Sequence, residues 1–241
     1  MDTDAEFVIG VTPAPGLSEL RIVLLGKAGV GKSAAGNTIL GREERKFASS
    51  SVTHQCQGAR GEVGGRSVSV IDTPGLVDMD ISNQDTVSEI KRCISLSAPG
   101  PHVFLLVLRL LSSTQEEREM LHMIENTFGE NALKYSIVLF THGDEMKRKQ
   151  MEESLQHSCE LPELISRCHG GYHMFNNENM ADRAQVTELL EKIDRMVERN
   201  GGGHYTNEML LEAQRALREQ QNQSLHVPEE VVGIQKDNVL A

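Results

Sequence analysis

One short stretch restricts the fold of this chain more than any other. In Gly26–Ser33, a glycine and four further residues precede Gly-Lys-Ser. This is the phosphate-binding loop pattern, whose curled backbone points several amide N–H groups at one anion. The apolar run 20–25 before it is typical of a buried parallel strand, and residues 34–40 after it predict a short helix ended by Gly41. Because both flanks fit, a nucleotide-phosphate site is favoured over an ordinary glycine-rich turn.

The residues of this loop have distinct predicted roles. The Lys32 ammonium can reach the β- and γ-phosphates of a nucleotide, and the Ser33 hydroxyl is a ligand for Mg²⁺. A helix that begins beside Lys32 adds the positive end of its dipole. The predicted phosphate contacts are Gly26, Lys27, Ala28, Gly29, Val30, Gly31, Lys32, Ser33 and Ala34.

Composition limits the class of protein around this site. The 241 residues suffice for one α/β domain with tails, and the net charge of −11 disfavours a nucleic-acid partner, since phosphate backbones bind basic surfaces. No apolar run approaches the ~18 residues of a membrane span, and the acidic N-terminus argues against a secretory signal. We therefore expect a cytoplasmic protein with reduced thiols. The cysteines, which lack paired spacing, are Cys56, Cys93, Cys159 and Cys168.

Apolar runs alternate with amphipathic segments, which predicts an α/β fold: a mostly parallel sheet with helices on both faces, the three-layer arrangement of a P-loop NTPase. The predicted strands are residues 20–25, an edge strand around 55–62, 66–71 after a Gly-Gly hairpin signal, 103–108, 135–140 and 172–175. The predicted helices are residues 34–40, 83–96, 114–128 and 186–197. We expect a flexible leader over 1–19, a nucleotide-binding domain over 20–200, a C-terminal helix over 204–223 and a disordered tail over 224–241.

A second motif, Asp72-Thr73-Pro74-Gly75, directly follows the strand that ends at residue 71. The Asp72 carboxylate can hold Mg²⁺ through water, and the Gly75 N–H can approach a γ-phosphate closely. The Gly75 contact exists only in the triphosphate state, so it can order residues 76–83. An ordinary turn is the alternative, and the position behind a phosphate loop and a strand disfavours it.

Base selection is predicted at residues 141–144, again just after a strand. A single carboxylate pairs with the N1–H and the exocyclic amine of guanine, whereas adenine offers no such pair of donors, so Asp144 is predicted to select guanine. His142 departs from the more familiar Asn/Thr-Lys-x-Asp pattern, and a turn with a solvated Asp stays an alternative. The asparagines after the last strand predict a third wall of the pocket, although Asn is equally common in turns. The predicted base contacts are Thr141, His142, Asp144, Asn176 and Asn177.

Taken in order, these segments resemble the GIMAP family, the immunity-associated, AIG-type GTPases of the septin-like branch. The similarity extends to residues 31–41, to 96–102, which look like the family's hallmark segment, and to 204–209, and it covers residues 20–210. The resemblance implies a GTPase G domain that binds GTP or GDP with Mg²⁺ and hydrolyses GTP slowly. It also implies a GTP-dependent homodimer or homo-oligomer formed across the nucleotide face, and a role in immune-cell regulation.

The sequence departs from the family pattern in ways that bear on catalysis. Residues 47–53 look shorter than the family's first switch, with Thr53 as the hydroxyl expected to close on Mg²⁺ and Ser49 or Ser51 as a nucleotide contact. Ser112 stands where members that hydrolyse well have an arginine acting across the dimer, and such an arginine can be worth about 10³-fold in rate. Some members end in a membrane anchor, which we do not expect here, although partners can bring the protein to intracellular membranes.

Catalysis is assigned to few groups. No glutamine follows Gly75 to orient water, so slow GTP hydrolysis is predicted. A catalytically inert, GTP-dependent scaffold is the main alternative, and an ATP-using kinase is disfavoured by Asp144. The predicted catalytic residues are Lys32, Thr53 and Gly75, and the predicted metal ligands are Ser33, Thr53 and Asp72.

Overall fold

A central sheet organises the protein in the computed structural model, which describes residues 19–41, 47, 53–78, 84–109, 114–141, 160–212 and 215. Its strands are β1 (Glu19–Leu25), β2 (Gln57–Val63), β3 (Arg66–Asp72), β4 (Val103–Arg109), β5 (Ser136–Thr141) and β6 (Tyr172–Met174). Within these residues the order is β2-β3-β1-β4-β5-β6. Neighbours are parallel except β2 with β3, which pair antiparallel. The predicted α/β class with a mostly parallel sheet is confirmed.

The central strands are mostly apolar because helices cover both faces of the sheet. Nearly every residue of β1, β4 and β5 is buried, without the alternation of a half-exposed strand. The edge strand β2 is more exposed, and Gly64 and Gly65, both with positive φ, join it to β3. The predicted hairpin is therefore confirmed, since such a tight turn needs left-handed backbone.

Helices pack on both faces and complete three layers. On one face, Ile39 and Leu189 share a core with Ile22 of the sheet. On the other face, Ile124 and Leu164 share a core with the opposite side of the same strands. The helices are α1 (Lys32–Leu40), α2 (Gln84–Leu96), α3 (Thr114–Phe128), α4 (Glu160–Arg167) and α5 (Ala184–Arg199).

Several boundaries differ from those predicted. Helix α1 begins at Lys32 rather than at residue 34, because Gly31 already takes the N-cap position. Strand β5 begins at Ser136 because residues 130–135 form a 3₁₀ helix, and it runs on to Thr141. Helix α4 was not predicted, although Leu161, Leu164 and Ile165 lie at helical spacing.

The chain after α5 returns to the sheet. Gly201 and Gly202 turn it with positive φ, and Tyr205 is then buried, with residues 207–212 helical beyond it. The leader and the tail predicted over 1–19 and 224–241 lie outside the described residues, apart from Glu19, the first residue of β1. Among the described residues, no helix has the length and apolar character that crossing a membrane requires.

Candidate functional site

The glycine-rich loop connects the carboxyl end of β1 with α1, in the middle of the sheet. Two of its glycines are required by close contacts. A Cβ atom on Gly26 would lie 2.6 Å from the Val107 carbonyl oxygen, and one on Gly31, whose φ is +97°, would lie 3.2 Å from Cγ2 of Thr141. Strands β4 and β5, which lie on the same side of β1, thus hold the loop in its curled form.

The first turn of α1 is open to an anion. No side chain of the described residues caps this helix at Gly31, so the first-turn N–H groups after it have no side-chain acceptor in the part of the chain that the structure describes. An uncapped helix N-terminus beside a curled glycine loop is the usual setting for a bound phosphate. The predicted phosphate contacts at this turn, Lys32, Ser33 and Ala34, are brought together here.

Lys32 is buried, and its side chain folds back over the loop. Its Nζ donates to the carbonyl oxygens of Gly26 at 3.0 Å and of Lys27 at 2.7 Å. Burial lowers the pKa of Lys32, and the charges of Asp72 and Asp78 act in the opposite direction. A desolvated ammonium beside open amides makes a strong site for a phosphate group.

The three predicted metal ligands lie together. The Ser33 hydroxyl donates to Oδ2 of Asp72 at 2.6 Å, the Thr53 hydroxyl donates to the same oxygen at 3.1 Å, and the two hydroxyl oxygens are 3.2 Å apart. The other carboxylate oxygen of Asp72, Oδ1, is buried and has no hydrogen-bond partner among the described residues. Burial raises the pKa of Asp72, while the hydrogen bond from Ser33 lowers it. This oxygen-rich set with an orphaned carboxylate oxygen fits Mg²⁺.

Gly75 closes against the phosphate loop, and Asp78 joins it there. A Cβ on Gly75 would lie 2.7 Å from the Ala28 nitrogen. Asp78, the last residue of the 3₁₀ turn Leu76–Asp78, accepts a hydrogen bond from the Ala28 N–H at 2.8 Å. Sequence reasoning missed Asp78; the one signal that pointed to it was its place three residues after Gly75, in the segment expected to respond to a γ-phosphate.

Lys27 links this loop to α3. Its Nζ lies 2.6 Å from a carboxylate oxygen of Glu119 and 4.0 Å from one of Asp78. The hydrogen bond to Glu119 raises the pKa of Lys27. Sequence reasoning assigned Lys27 only a contact to phosphate, because a carboxylate so distant along the chain cannot be paired with it by spacing alone.

On the base side, the structure describes some predicted residues and not others. The Thr141 hydroxyl donates to the Val30 carbonyl at 2.8 Å and so fixes the loop to β5. Oδ1 of Asn177 accepts from the Thr38 hydroxyl of α1 at 2.9 Å, beside the loop. Asn176 instead uses its side-chain oxygen within its own turn, accepting from two following N–H groups. The predicted residues that lie outside the described part are Ser49, Ser51, Ser112, His142 and Asp144.

The sequence of this chain is similar to those of known proteins. The chain matches the AIG1 family over residues 20–224. It is 36% identical to GTPase IMAP family member 8 of Homo sapiens over 196 residues, and this aligned stretch covers 79% of this chain and 30% of that protein. It is 34% identical over 224 residues to immune-associated nucleotide-binding protein 9 of Arabidopsis thaliana, covering 89% and 64%. The chain therefore spans less than two thirds of the length of these relatives.

The fold has solved counterparts. The crystal structure of Toc33 from Arabidopsis thaliana in complex with GDP and Mg²⁺ superposes with a TM-score of 0.58 at 19% identity, covering 76% of this chain and 86% of that one. At this identity the likeness shows the three-layer fold.

Proposed function

The chain belongs to the AIG1 family, and from that premise we propose that it is a guanine-nucleotide-binding G domain that hydrolyses GTP slowly. The observation that carries the proposal is the buried, unpartnered oxygen of Asp72 beside the hydroxyls of Ser33 and Thr53, next to an uncapped phosphate loop in the described part of the chain. The name of the human relative describes a GTPase, and the Toc33 structure holds GDP and Mg²⁺. Both support the same ligands for this chain.

Different groups of the chain bind the phosphates, the metal ion and the base of the nucleotide. The amides at the start of α1 and the Lys32 ammonium bind phosphate oxygens, while Ser33, Thr53 and Asp72 hold Mg²⁺. The bound ion supplies neutralisation of charge on the phosphates. Asp144, at the end of the predicted base-binding motif, selects guanine. With this assignment, Mg²⁺ is the partner of the Asp72 oxygen that has no hydrogen bond among the described residues.

Hydrolysis is attack of water on the γ-phosphate, and this chain offers little help to the water. The Gly75 N–H and the phosphate loop position the phosphate, which stabilises the developing charge. Leu76, the next residue, is 2% exposed and packs in the core. It therefore presents no polar group to the attacking water, and we expect slow turnover. This burial also favours the second candidate function, a GTP-dependent scaffold with negligible hydrolysis.

Assembly is the third part of the proposal. For the chloroplast translocon components atToc33 and psToc159, dimerisation is important for GTPase activity. We expect this chain to form a homodimer or homo-oligomer across the nucleotide face in the GTP state. The name of the Arabidopsis relative supports a role in immunity, and we expect a cytoplasmic location.

The test is GTP hydrolysis measured against protein concentration, with Asp144→Ala as the control for base-specific binding. Specific activity that rises with concentration would support catalysis completed across a dimer. A flat rate near zero with tight GTP binding would support the scaffold. An absence of GTP binding by the wild-type protein, or equal competition by ATP, would contradict the proposal.

A further inference from the structure

We propose that Asp78 competes with the γ-phosphate for the phosphate loop, so that this side chain sets the preference of the site between GDP and GTP. The inference rests on the proposed function, because it assumes that the loop binds a guanine nucleotide. It assigns a role in nucleotide discrimination to a residue outside the predicted phosphate, base and metal contacts.

The first step is that a carboxylate of the chain itself already contacts the loop. Oδ2 of Asp78 accepts the Ala28 N–H at 2.8 Å, although this amide belongs to a loop whose N–H groups are arranged for phosphate. A carboxylate on a backbone N–H is a charge-assisted hydrogen bond, stronger than one between neutral groups. The loop is thus partly satisfied by the chain itself.

The second step locates this contact at the γ-phosphate end of the site. A Cβ on Gly75 would lie 2.7 Å from the Ala28 nitrogen and 2.9 Å from Oδ2 of Asp78, so these three groups meet at one point. Under the proposed function, the Gly75 N–H is the group that approaches a γ-phosphate in the triphosphate state. The amides that cradle the inner phosphates lie further along, where α1 begins at Lys32.

The third step is electrostatic. Lys27 lies 4.0 Å from Asp78, but it lies much closer to Glu119, at 2.6 Å. The charge of Lys27 is therefore largely shared with a second carboxylate. A γ-phosphate that enters beside Asp78 meets a like charge, and like charges in contact are strongly unfavourable. GDP has no γ-phosphate, so it can bind with Asp78 in place.

GTP must then displace the Asp78 carboxylate from Ala28 before it occupies the loop fully. The displacement makes the loop discriminate against the triphosphate, and it moves the residue that ends the turn 76–78 whenever GTP binds. The preference for GDP over GTP is the measurable consequence.

The experiment compares wild-type protein with Asp78→Asn and with Asp182→Asn as a matched control, since the Asp182 carboxylate also accepts a backbone N–H, that of Ala184 at 3.1 Å, in the turn before α5. Competition against a fluorescent GDP, with Mg²⁺ present, gives dissociation constants for GDP and for the non-hydrolysable analogue GMPPNP. Asp78→Asn keeps the shape and an acceptor oxygen but removes the charge, so we expect the ratio of the GMPPNP constant to the GDP constant to fall about tenfold. Asp182→Asn likewise removes one negative charge without touching the Ala28 amide, and we expect less than a twofold change in the ratio.

Other results would overturn the inference. If both nucleotides bind wild type and the ratio is unchanged in Asp78→Asn, or if both constants shift equally, Asp78 does not compete with the γ-phosphate. Retained GDP affinity shows that a variant is folded, and Asp78→Ser replaces Asp78→Asn if that variant fails this check. If wild-type protein binds neither GDP nor GMPPNP, the proposed function itself fails, which is a different outcome from an unchanged ratio.

Discussion

Two regions of this molecule handle buried polar groups in opposite ways. In the nucleotide region, Asp72 keeps a buried oxygen without a partner among the described residues, and α1 begins without a side-chain cap from them. In the docking segment, which we define as residues 97–102, the polar groups are paired within the chain. There, the Arg21 Nε donates to the Gly100 carbonyl at 2.6 Å and the Arg21 N–H donates to Nδ1 of His102 at 3.0 Å.

The docking segment also receives the chain that returns after α5. The Tyr205 N–H donates to the Pro101 carbonyl at 2.9 Å, and the Tyr205 hydroxyl donates to the Phe128 carbonyl at 2.6 Å. The ring of Tyr205 packs edge-on against Phe104. In these two regions, the polar groups that are paired within the chain stabilise the fold, whereas the unpartnered Asp72 oxygen beside the phosphate loop is left for a ligand.

The largest expected effect tests the docking segment. A Cβ on Gly100 would lie 1.9 Å from the Tyr205 carbonyl oxygen, so Gly100→Ala must push the returning chain away. We expect the free energy of unfolding in urea to fall by about 3 kcal/mol or more, as for overpacked core positions. The control is Gly203→Ala, where a Cβ would meet no atom of the described residues within 4 Å. Equal losses in the two variants would show that the docking contact contributes nothing to stability.

Much of the fold could be predicted because its signals are local. The apolar runs of the central strands and the Gly-Gly turn each depend on neighbouring residues, and the AIG1 match confirms the family that the motifs resemble. The segment 96–102 was recognised by resemblance alone. Its contacts with Arg21 and Tyr205 join residues far apart along the chain, which no periodicity can indicate.

The candidate site likewise contains some residues that could be predicted from the sequence and others that could not. Ser33 and Asp72 were predicted from motif chemistry and Thr53 from the family resemblance, and the structure brings the three side chains together. Asp78 on Ala28 and Glu119 on Lys27 were not predicted, since an acidic residue in a loop or on a helix surface is usually solvated. Only the tertiary structure distinguishes these two from other carboxylates.

The second prediction concerns pH and sharpens the comparison. Burial, and then the charge of Arg21, lower the pKa of His102 from 6.5 to about 3. Between these values the unfolded chain binds a proton that the folded chain does not, so stability is lost as the pH falls below 6.5. From pH 7 to pH 5 we expect His102 to account for about 2 kcal/mol of lost unfolding free energy.

The variant His102→Asn isolates this effect. Asn offers an acceptor to the Arg21 N–H but does not titrate, so we expect its stability to depend less on pH by that amount. His173, whose pKa burial lowers to about 4, adds a similar dependence in both proteins and cancels in the difference. Identical pH profiles for wild type and His102→Asn, measured by urea unfolding, would mean that His102 is not held neutral.

The smallest expected effect on stability comes from the nucleotide region and has the opposite sign. Burial raises the pKa of Asp72, so its carboxylate is less favourable in the folded chain than in the unfolded one at neutral pH. Asp72→Asn removes that charge, and we expect the unfolding free energy without nucleotide to rise by about 1 kcal/mol.

The same variant should bind GTP at least tenfold more weakly in the presence of Mg²⁺, because the metal has lost its carboxylate. For the same reason, its GTP affinity should no longer fall when EDTA removes the metal. A variant that is less stable yet binds GTP with an unchanged response to EDTA would place Asp72 with the groups that hold the fold, and the contrast between the two regions would fail.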